Sequence, residues 1–179
     1  MKKNSDATFL KKIKLGSIFL LALSSICFAF KNTSTLKAAL ATAGSWASVT
    51  STSGLPTARH EASFVQAGNK FYLLGGRGVK PVQMYDPINK TWTNKVNTPI
   101  VLHHFQAKSI DGLIYVVGAF TGSYPHEKPV SNIYIYNPAT NKWITGATIP
   151  STRRRGSSGV VVYNKKIYMV GGIKDGHWA

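Results

Sequence analysis

The sequence predicts an all-β fold assembled from a repeated four-stranded unit. Two observations lead to this prediction: three segments of the chain align with one another, and each contains two β-rich runs joined by a short turn. A third observation agrees with them, because no helical periodicity follows the apolar segment near the N-terminus. The repeated unit therefore accounts for nearly all of the chain beyond that segment.

The first 29 residues have the organisation of a secretory signal peptide with an apolar helix. A head with five lysines and one aspartate (1–14) precedes the uncharged run LGSIFLLALSSICFAF (15–30). This run is shorter than the roughly 20 residues that span a bilayer. The pattern predicts cleavage after Ala29, with cleavage after Ala43 or an uncleaved anchor as alternatives. We then expect a secreted, periplasmic or cell-surface protein in which residues 30–43 form a linker.

The chain is strongly basic and nearly free of cysteine. It contains 22 Lys and Arg against 6 Asp and Glu, a formal net charge of +16, and its one cysteine, Cys27, lies in the signal segment. The exported part must therefore be stabilised by burial and sheet hydrogen bonds without disulfides. Its charge favours a glycan, an acidic small molecule or an acidic protein surface as partner, and export argues against nucleic acid. Membrane contact is expected only through an uncleaved signal segment.

The repeat begins with a proline and a hairpin. Pro56, Pro99 and Pro150 head the aligned segments 55–76, 98–119 and 149–172. Within each segment, two β-rich runs are separated by Gly68-Asn69, Asp111-Gly112 or Asn164-Lys165. These residue types tolerate the positive φ angles of tight hairpin turns. Each segment is therefore predicted to form the first two strands of an antiparallel meander.

The remainder of each unit completes the meander and carries a family resemblance. The second strand ends at Gly75-Gly76, Gly118-Ala119 or Gly171-Gly172, and a turn at Asp86-Pro87 or Asn137-Pro138 then precedes a strand carrying Trp92 or Trp143. This order of features resembles the kelch repeat, whose period is about 50 residues. The resemblance covers about residues 44–179. It implies a kelch-type β-propeller of the secreted bacterial type, similar in fold to the central domain of galactose oxidase, with one blade per repeat around a channel.

The resemblance also predicts an incomplete ring. Residues 44–56, with Trp46, resemble the N-terminal strand that completes the last blade of kelch propellers. Two full blades and the first two strands of a third follow, about two and a half blades in all. Because a closed propeller has roughly four to eight blades, we interpret residues 44–179 as a truncated propeller. The missing blades would be required for closure.

The resemblance locates candidate ligand-binding residues at the channel mouth. In kelch binding domains, the loop that follows the heading proline enters the innermost strand, and its polar residues line the ligand pocket. The corresponding residues here are Arg59, His60, Glu61, His103, His104, Arg153, Arg154 and Arg155. Arginine suits bidentate capture of carboxylate, sulfate or phosphate groups. Alternatively, the arginines pair with Glu61 or bind carbonyl groups at strand ends.

The long loop 118–132 offers a second surface for sugar contacts. It exceeds the length of a simple hairpin and contains Tyr124, His126 and Glu127, while His177 and Trp178 occupy the corresponding place in the third unit. A solvated surface loop is the alternative interpretation. These residues supplement the channel-mouth candidates.

The sequence favours a binding module for a glycan, an acidic ligand or an acidic protein. It has no Ser nucleophile elbow, no Gly-rich phosphate loop before a helix and no carboxylate pair. No cofactor and no metal are expected, because no H-x-x-x-H spacing occurs and the exported part lacks the cysteine that galactose oxidase uses at its copper site. The alternatives are a lyase, isomerase or mutarotase-like enzyme acting on an acidic sugar, and a purely structural adhesin scaffold.

Overall fold

Twelve β-strands follow one another in residues 44–174, the part of the chain that the computed structural model describes. They are β1 (Ala62–Ala67), β2 (Lys70–Gly75), β3 (Pro81–Asp86), β4 (Thr91–Asn97), β5 (Lys108–Ile110), β6 (Leu113–Val116), β7 (Phe120–Thr121), β8 (Lys128–Pro129), β9 (Asn132–Asn137), β10 (Lys142–Thr148), β11 (Gly159–Tyr163) and β12 (Lys166–Val170). All of them lie in one compact unit that begins at Ser48. The predicted signal peptide and linker, together with His177 and Trp178, lie outside the described residues.

The strands form the predicted meanders. Blade 1 is the antiparallel sheet β1-β2-β3-β4, and blade 2 is the antiparallel sheet β5-β6-β9-β10, with β7 and β8 as a separate small hairpin inserted in it. The hairpin β11-β12 is the first half of a third blade. This arrangement confirms the predicted all-β, incomplete propeller. No helix among residues 44–174 is long and apolar enough to cross a membrane.

The turns form where the sequence places them. Both central residues have positive φ at Asp111-Gly112 and Asn164-Lys165, as in a type I′ turn, whereas at Gly68-Asn69 only the glycine does, as in type II′. At the second turn, Asp86 Oδ1 accepts bonds from the backbone N–H groups of Ile88 and Asn89 at 3.0 and 3.3 Å. Asn137 Oδ1 accepts the corresponding bonds in blade 2. Side chains that bind nearby backbone groups thus fix both turns.

The hydrophobic core lies between blades 1 and 2. Its buried residues are Ala67, Tyr72, Leu74, Val82, Leu102, Phe105, Ala107, Ile114, Val116, Ala119, Val130 and Tyr136. The innermost strands β1, β5 and β11 are neighbours in that order. The Ala107 N–H donates to Ser63 Oγ at 2.8 Å, and the Val160 N–H donates to Gln106 Oε1 at 3.1 Å. Equivalent side chains therefore link successive blades.

The predicted orphan strand is not a regular strand. Within residues 44–56 the structure has a single parallel bridge, between Ser53 and Thr91 of β4, and Trp46 is fully exposed. The Thr52 N–H donates to the Lys90 carbonyl, and the Trp92 N–H donates to the Ser53 carbonyl. The segment thus pairs with the outer edge of blade 1. Over these residues the described structure therefore has a short contact with β4 and no regular strand.

Candidate functional site

The structure fixes the register of the three channel-mouth loops. The Arg59 guanidinium donates to the carbonyls of Thr57 and Gly75 at 3.3 and 3.1 Å. Arg155 donates in the same way to Arg153 and Gly171, also at 3.3 and 3.1 Å. Arg155 is therefore the equivalent of Arg59. Leu102, buried in the core, occupies this position in blade 2.

The aligned segment 149–172 is two residues longer than the other two, and the extra residues lie between Pro150 and Arg155. A 3₁₀ turn over Ser151–Arg153 accommodates the two extra residues ahead of Arg155. Arg153 is exposed, and within the described part of the chain its side chain has no hydrogen-bond or ion-pair partner. Arg154 is half-buried, and its Nε donates to the Ile149 carbonyl at 3.0 Å. The three arginines thus differ in their freedom to meet a partner.

The guanidinium of Arg59 forms its hydrogen bonds within blade 1. Besides its two carbonyl partners, its guanidinium donates to the Pro81 carbonyl and to Gln83 Oε1, both at 3.0 Å. Burial lowers the pKa of Arg59. Arg59 therefore binds carbonyl groups at the strand ends of blade 1. This is the alternative role, in place of ligand binding, that the sequence predicted for the arginines.

The channel-mouth loops meet through residues of positive φ. Glu61, His104 and Ser157 have φ angles of 57°, 55° and 53°. The His104 N–H donates to the Glu61 carbonyl at 3.0 Å, and the Ser157 N–H donates to the His104 carbonyl at 2.7 Å. Three successive loops thus form a chain of hydrogen bonds around the mouth. This chain brings Glu61 and His104 together although they belong to different blades.

Arg77 and two glutamates form the centre of a charged cluster beside this chain. Arg77 Nη2 donates to Glu61 Oε1 at 3.0 Å and also forms an ion pair with Glu127 Oε1, and Arg77 Nε lies 2.8 Å from Glu61 Oε2. The Glu127 side chain is fully buried, and that of Glu61 is 21 % exposed. A buried carboxylate requires such a counter-ion because desolvation penalises its charge. Glu127 is therefore held internally and is not available to contact a sugar in solvent.

Two histidines of the second loop complete the cluster. His103 is fully buried, and its Nδ1 lies 2.8 Å from His104 Nδ1. Their distances to Glu61 Oε2 are 3.6 and 3.3 Å. His60 is mostly exposed and touches the cluster from outside, with Nδ1 3.2 Å from Glu61 Oε1. Glu61, His103, His104 and Glu127 each present a metal-ligating atom, and all these atoms lie within 4.8 Å of one another.

The electrostatics keep Glu61 ionised and His104 neutral. Burial acts to raise the pKa of Glu61, but the hydrogen bond from Arg77 and the nearby positive charges hold it below its ordinary value. Burial lowers the pKa of His104, and the opposing effect of Glu61 and Glu127 does not restore it. At neutral pH the cluster therefore contains an ionised carboxylate beside an uncharged imidazole.

Sequence reasoning found four members of this cluster but missed Arg77. Its equivalents are Phe120 and Ile173, which follow the small-residue pair in the other two units. A charge at a position that is apolar in the other repeats was the available signal. Glu127 was noticed only as a loop residue, since its contact with Arg77 spans 50 positions of the sequence.

Comparisons with known proteins identify the repeat. Residues 103–150 match the kelch motif family model. The chain is 30 % identical to Kelch-like protein terF of Aspergillus terreus over 66 % of its own length and 28 % of that protein. It is 29 % identical to Kelch-like protein 35 of Mus musculus over 74 % and 21 %, and 31 % identical to Beta-scruin of Limulus polyphemus over 66 % and 14 %. The chain thus spans less than a third of the length of each of these relatives. With the match to the kelch motif, these similarities show that it is a kelch-repeat protein.

Proposed function

We propose that this kelch-repeat chain is part of an exported binding module that recognises an acidic protein surface through its channel-mouth loops. Kelch-repeat relatives generally mediate protein binding, which supports a protein as the partner class. Export is supported by the basic head and apolar run of residues 1–29. The proposal assigns direct contact to Arg153 and Arg154 and a supporting role to Arg59 and Arg155.

The observation that carries this proposal is the distribution of charge. Residues 44–174 contain fifteen Lys and Arg against four Asp and Glu. All four carboxylates of that region form intramolecular ion pairs: Glu61 and Glu127 with Arg77, Asp86 with Lys70, and Asp111 with Lys165. These ion pairs use three of the fifteen cations of that region: Arg77, Lys70 and Lys165. A surface of this kind attracts acidic partners and raises their rate of association.

The arginines of the third loop are suited to direct contact. Arg153 presents its guanidinium to solvent, and Arg154 is anchored through Nε, which leaves its two terminal nitrogens for a partner. A planar guanidinium donates two parallel hydrogen bonds to one carboxylate. This geometry suits glutamate or aspartate side chains of a protein.

The test compares two double variants of the full chain that change charge equally. Arg153→Gln with Arg154→Gln removes the mouth arginines, and Lys142→Gln with Lys166→Gln removes two exposed lysines on strands. Binding to a glutamate-rich peptide is measured by calorimetry at several salt concentrations. We expect the arginine variant to bind about tenfold more weakly and with a shallower salt dependence, and the lysine variant to change much less.

Equal loss in both variants would contradict the proposal, because attraction would then be a property of net charge alone. A sulfated or uronic-acid oligosaccharide bound more tightly than the peptide would move the assignment to a glycan. Turnover of an acidic sugar that disappears in His104→Gln would favour the alternative enzyme. The adjacent histidines beside an ionised Glu61 are the observation that keeps this alternative in the test.

A further inference from the structure

We propose that Glu61, His103, His104 and Glu127 form a binding site for one Zn²⁺ ion at the junction of blades 1 and 2. The inference is independent of the acidic partner proposed above, because it concerns the interior cluster and not the exposed arginines. Imidazole nitrogens and carboxylate oxygens are the ligands that zinc accepts in four-coordinate protein sites. The four residues come from three separate segments of the chain and converge only in the folded protein.

The geometry of three donor atoms matches a tetrahedral zinc site. His103 Nδ1, His104 Nδ1 and Glu61 Oε2 form a triangle with edges of 2.8, 3.3 and 3.6 Å. Tetrahedral coordination with metal–ligand bonds of about 2.0–2.1 Å requires ligand atoms about 3.3 Å apart. The triangle therefore needs adjustments of only about half an ångström. Glu127 offers the fourth donor within the same 4.8 Å cluster.

The hydrogen bonds of His103 orient it as a metal ligand. Its Nε2 lies 3.0 Å from the Gly122 carbonyl, which only accepts, so Nε2 carries a proton. In the neutral ring, Nδ1 then presents its lone pair to the cluster, where His104 Nδ1 donates to it. Metal-ligating histidines almost always donate their other ring N–H to a carbonyl or carboxylate in this way. On zinc binding, the proton between the two Nδ1 atoms would be displaced. The neutral His104 ring would then carry its N–H proton on Nε2 instead of Nδ1.

The carboxylates supply the remaining conditions for a cation. Glu61 Oε2 is buried and accepts no well-aligned hydrogen bond, although Arg77 Nε is near it. The carboxylates of Glu61 and Glu127 share the guanidinium of Arg77, and carboxylate oxygens are ligands that zinc accepts. The side chains of Glu61 and His104 are about one-fifth exposed, so the cluster lies close to solvent.

The experiment uses the full chain, purified without a polyhistidine tag and stripped with a chelator, and titrates it with ZnCl₂ by calorimetry. We expect one zinc per chain. Glu61→Gln and His104→Gln should each weaken binding at least tenfold, in the range expected for altered metal sites. His60→Gln is the matched control, since His60 is exposed and adjacent in sequence but outside the set of four donors. Its affinity should stay within about threefold of the parent chain.

Two further measurements keep the outcome unambiguous. Circular dichroism verifies that each variant is folded, and the absorption of the Co²⁺ form reports whether the ion has tetrahedral nitrogen and oxygen ligands. Zinc should raise the melting temperature of the parent chain and of His60→Gln, because a ligand bound only to the folded state stabilises it. Absence of saturable one-to-one binding, or an equal loss in the control, would overturn the proposal.

Discussion

The same aromatic pair occurs twice in this molecule, once between blades and once on an open face. Tyr85 and Trp92 in blade 1 have ring centroids 5.0 Å apart at 36°, and Tyr136 and Trp143 in blade 2 have centroids 5.3 Å apart at 46°. Tyr136 is fully buried and meets Tyr72 of blade 1 edge-on at 6.1 Å. The packing of tyrosine on tryptophan is thus set within each blade, whereas the burial of the tyrosine depends on contact with a neighbouring blade.

The open face of blade 1 has the composition of an interface. Tyr85 and Trp92 line a groove of about 480 Å³ with Phe64, Phe71, Val49, Thr50, Ser51, Leu55 and Pro56. Phe64 is 56 % exposed and stacks on Phe71 at 5.5 Å. Each repeat unit therefore carries the aromatic residues that pack against a neighbouring blade, including on the face where the described structure has no such neighbour.

Alanine substitutions should distinguish these two aromatic pairs by their effect on the free energy of unfolding. Tyr136→Ala should destabilise the chain by about 3–5 kcal/mol, because it removes a fully buried ring from the core. Tyr85→Ala should cost about 1 kcal/mol, since that ring is only half-buried. Urea unfolding of the 179-residue chain measures both values. Equal costs would show that blade 1 is covered in solution, and the comparison of the two faces would then fail.

The next effect tests the contact between blades at the paired glycines. Gly75 and Gly171 both have φ of 69°, but a Cβ on Gly75 would lie 2.4 Å from the Leu102 carbonyl oxygen, while one on Gly171 would meet nothing within 4 Å. Gly171→Ala should cost only the backbone penalty of about 1–2 kcal/mol. Gly75→Ala should cost about 3 kcal/mol or more, because the next blade must also move. Similar melting temperatures for the two variants would contradict this view of the blade junction.

A smaller effect on stability is expected at the turn that joins the last two strands of each blade, at Asp86 and Asn137. The hydrogen bond from Lys70, then those from Asn89 and Ile88, lower the pKa of Asp86 from 3.8 to about 2, and burial opposes them only in part. A depressed carboxyl pKa stabilises the folded state above the unfolded pKa, and the stabilisation is lost as pH falls from about 4 to 2. Asp86→Asn should therefore be less stable at pH 7, and its difference from the parent chain should vanish near pH 2.

A matched control comes from blade 2, where Asn137 makes the same turn and Leu113 stands at the position of Lys70. Asn137→Asp, made in a chain that also carries Lys142→Thr, should show a much smaller dependence of stability on pH. The second change removes the lysine that pairs with position 137 across the hairpin and leaves the residue type that blade 1 has opposite Asp86. Thermal unfolding between pH 2 and pH 7 compares the three chains. A dependence in Asn137→Asp as large as that of Asp86 would assign the effect to the turn and not to the lysine.

The features that sequence predicted well are those that neighbouring residues determine. The hairpin at Asp111-Gly112 and the turns at Asp86 and Asn137 follow from the conformational preferences of a few adjacent residues. Over residues 44–56 the described structure has no regular strand, because a strand is defined by its partners. Among the described residues, this segment pairs with β4.

The repeat, the strand order within each blade and the family can be read from the sequence alone, because they depend on short-range patterns that recur along the chain. The tertiary structure alone decided that Arg155, not Arg153, corresponds to Arg59, since carbonyl groups of strand ends select the arginine that reaches them. It also decided that Arg77 and Glu127 meet beside the histidines. That contact joins residues 50 positions apart and depends on two blades packing side by side, which no local pattern records.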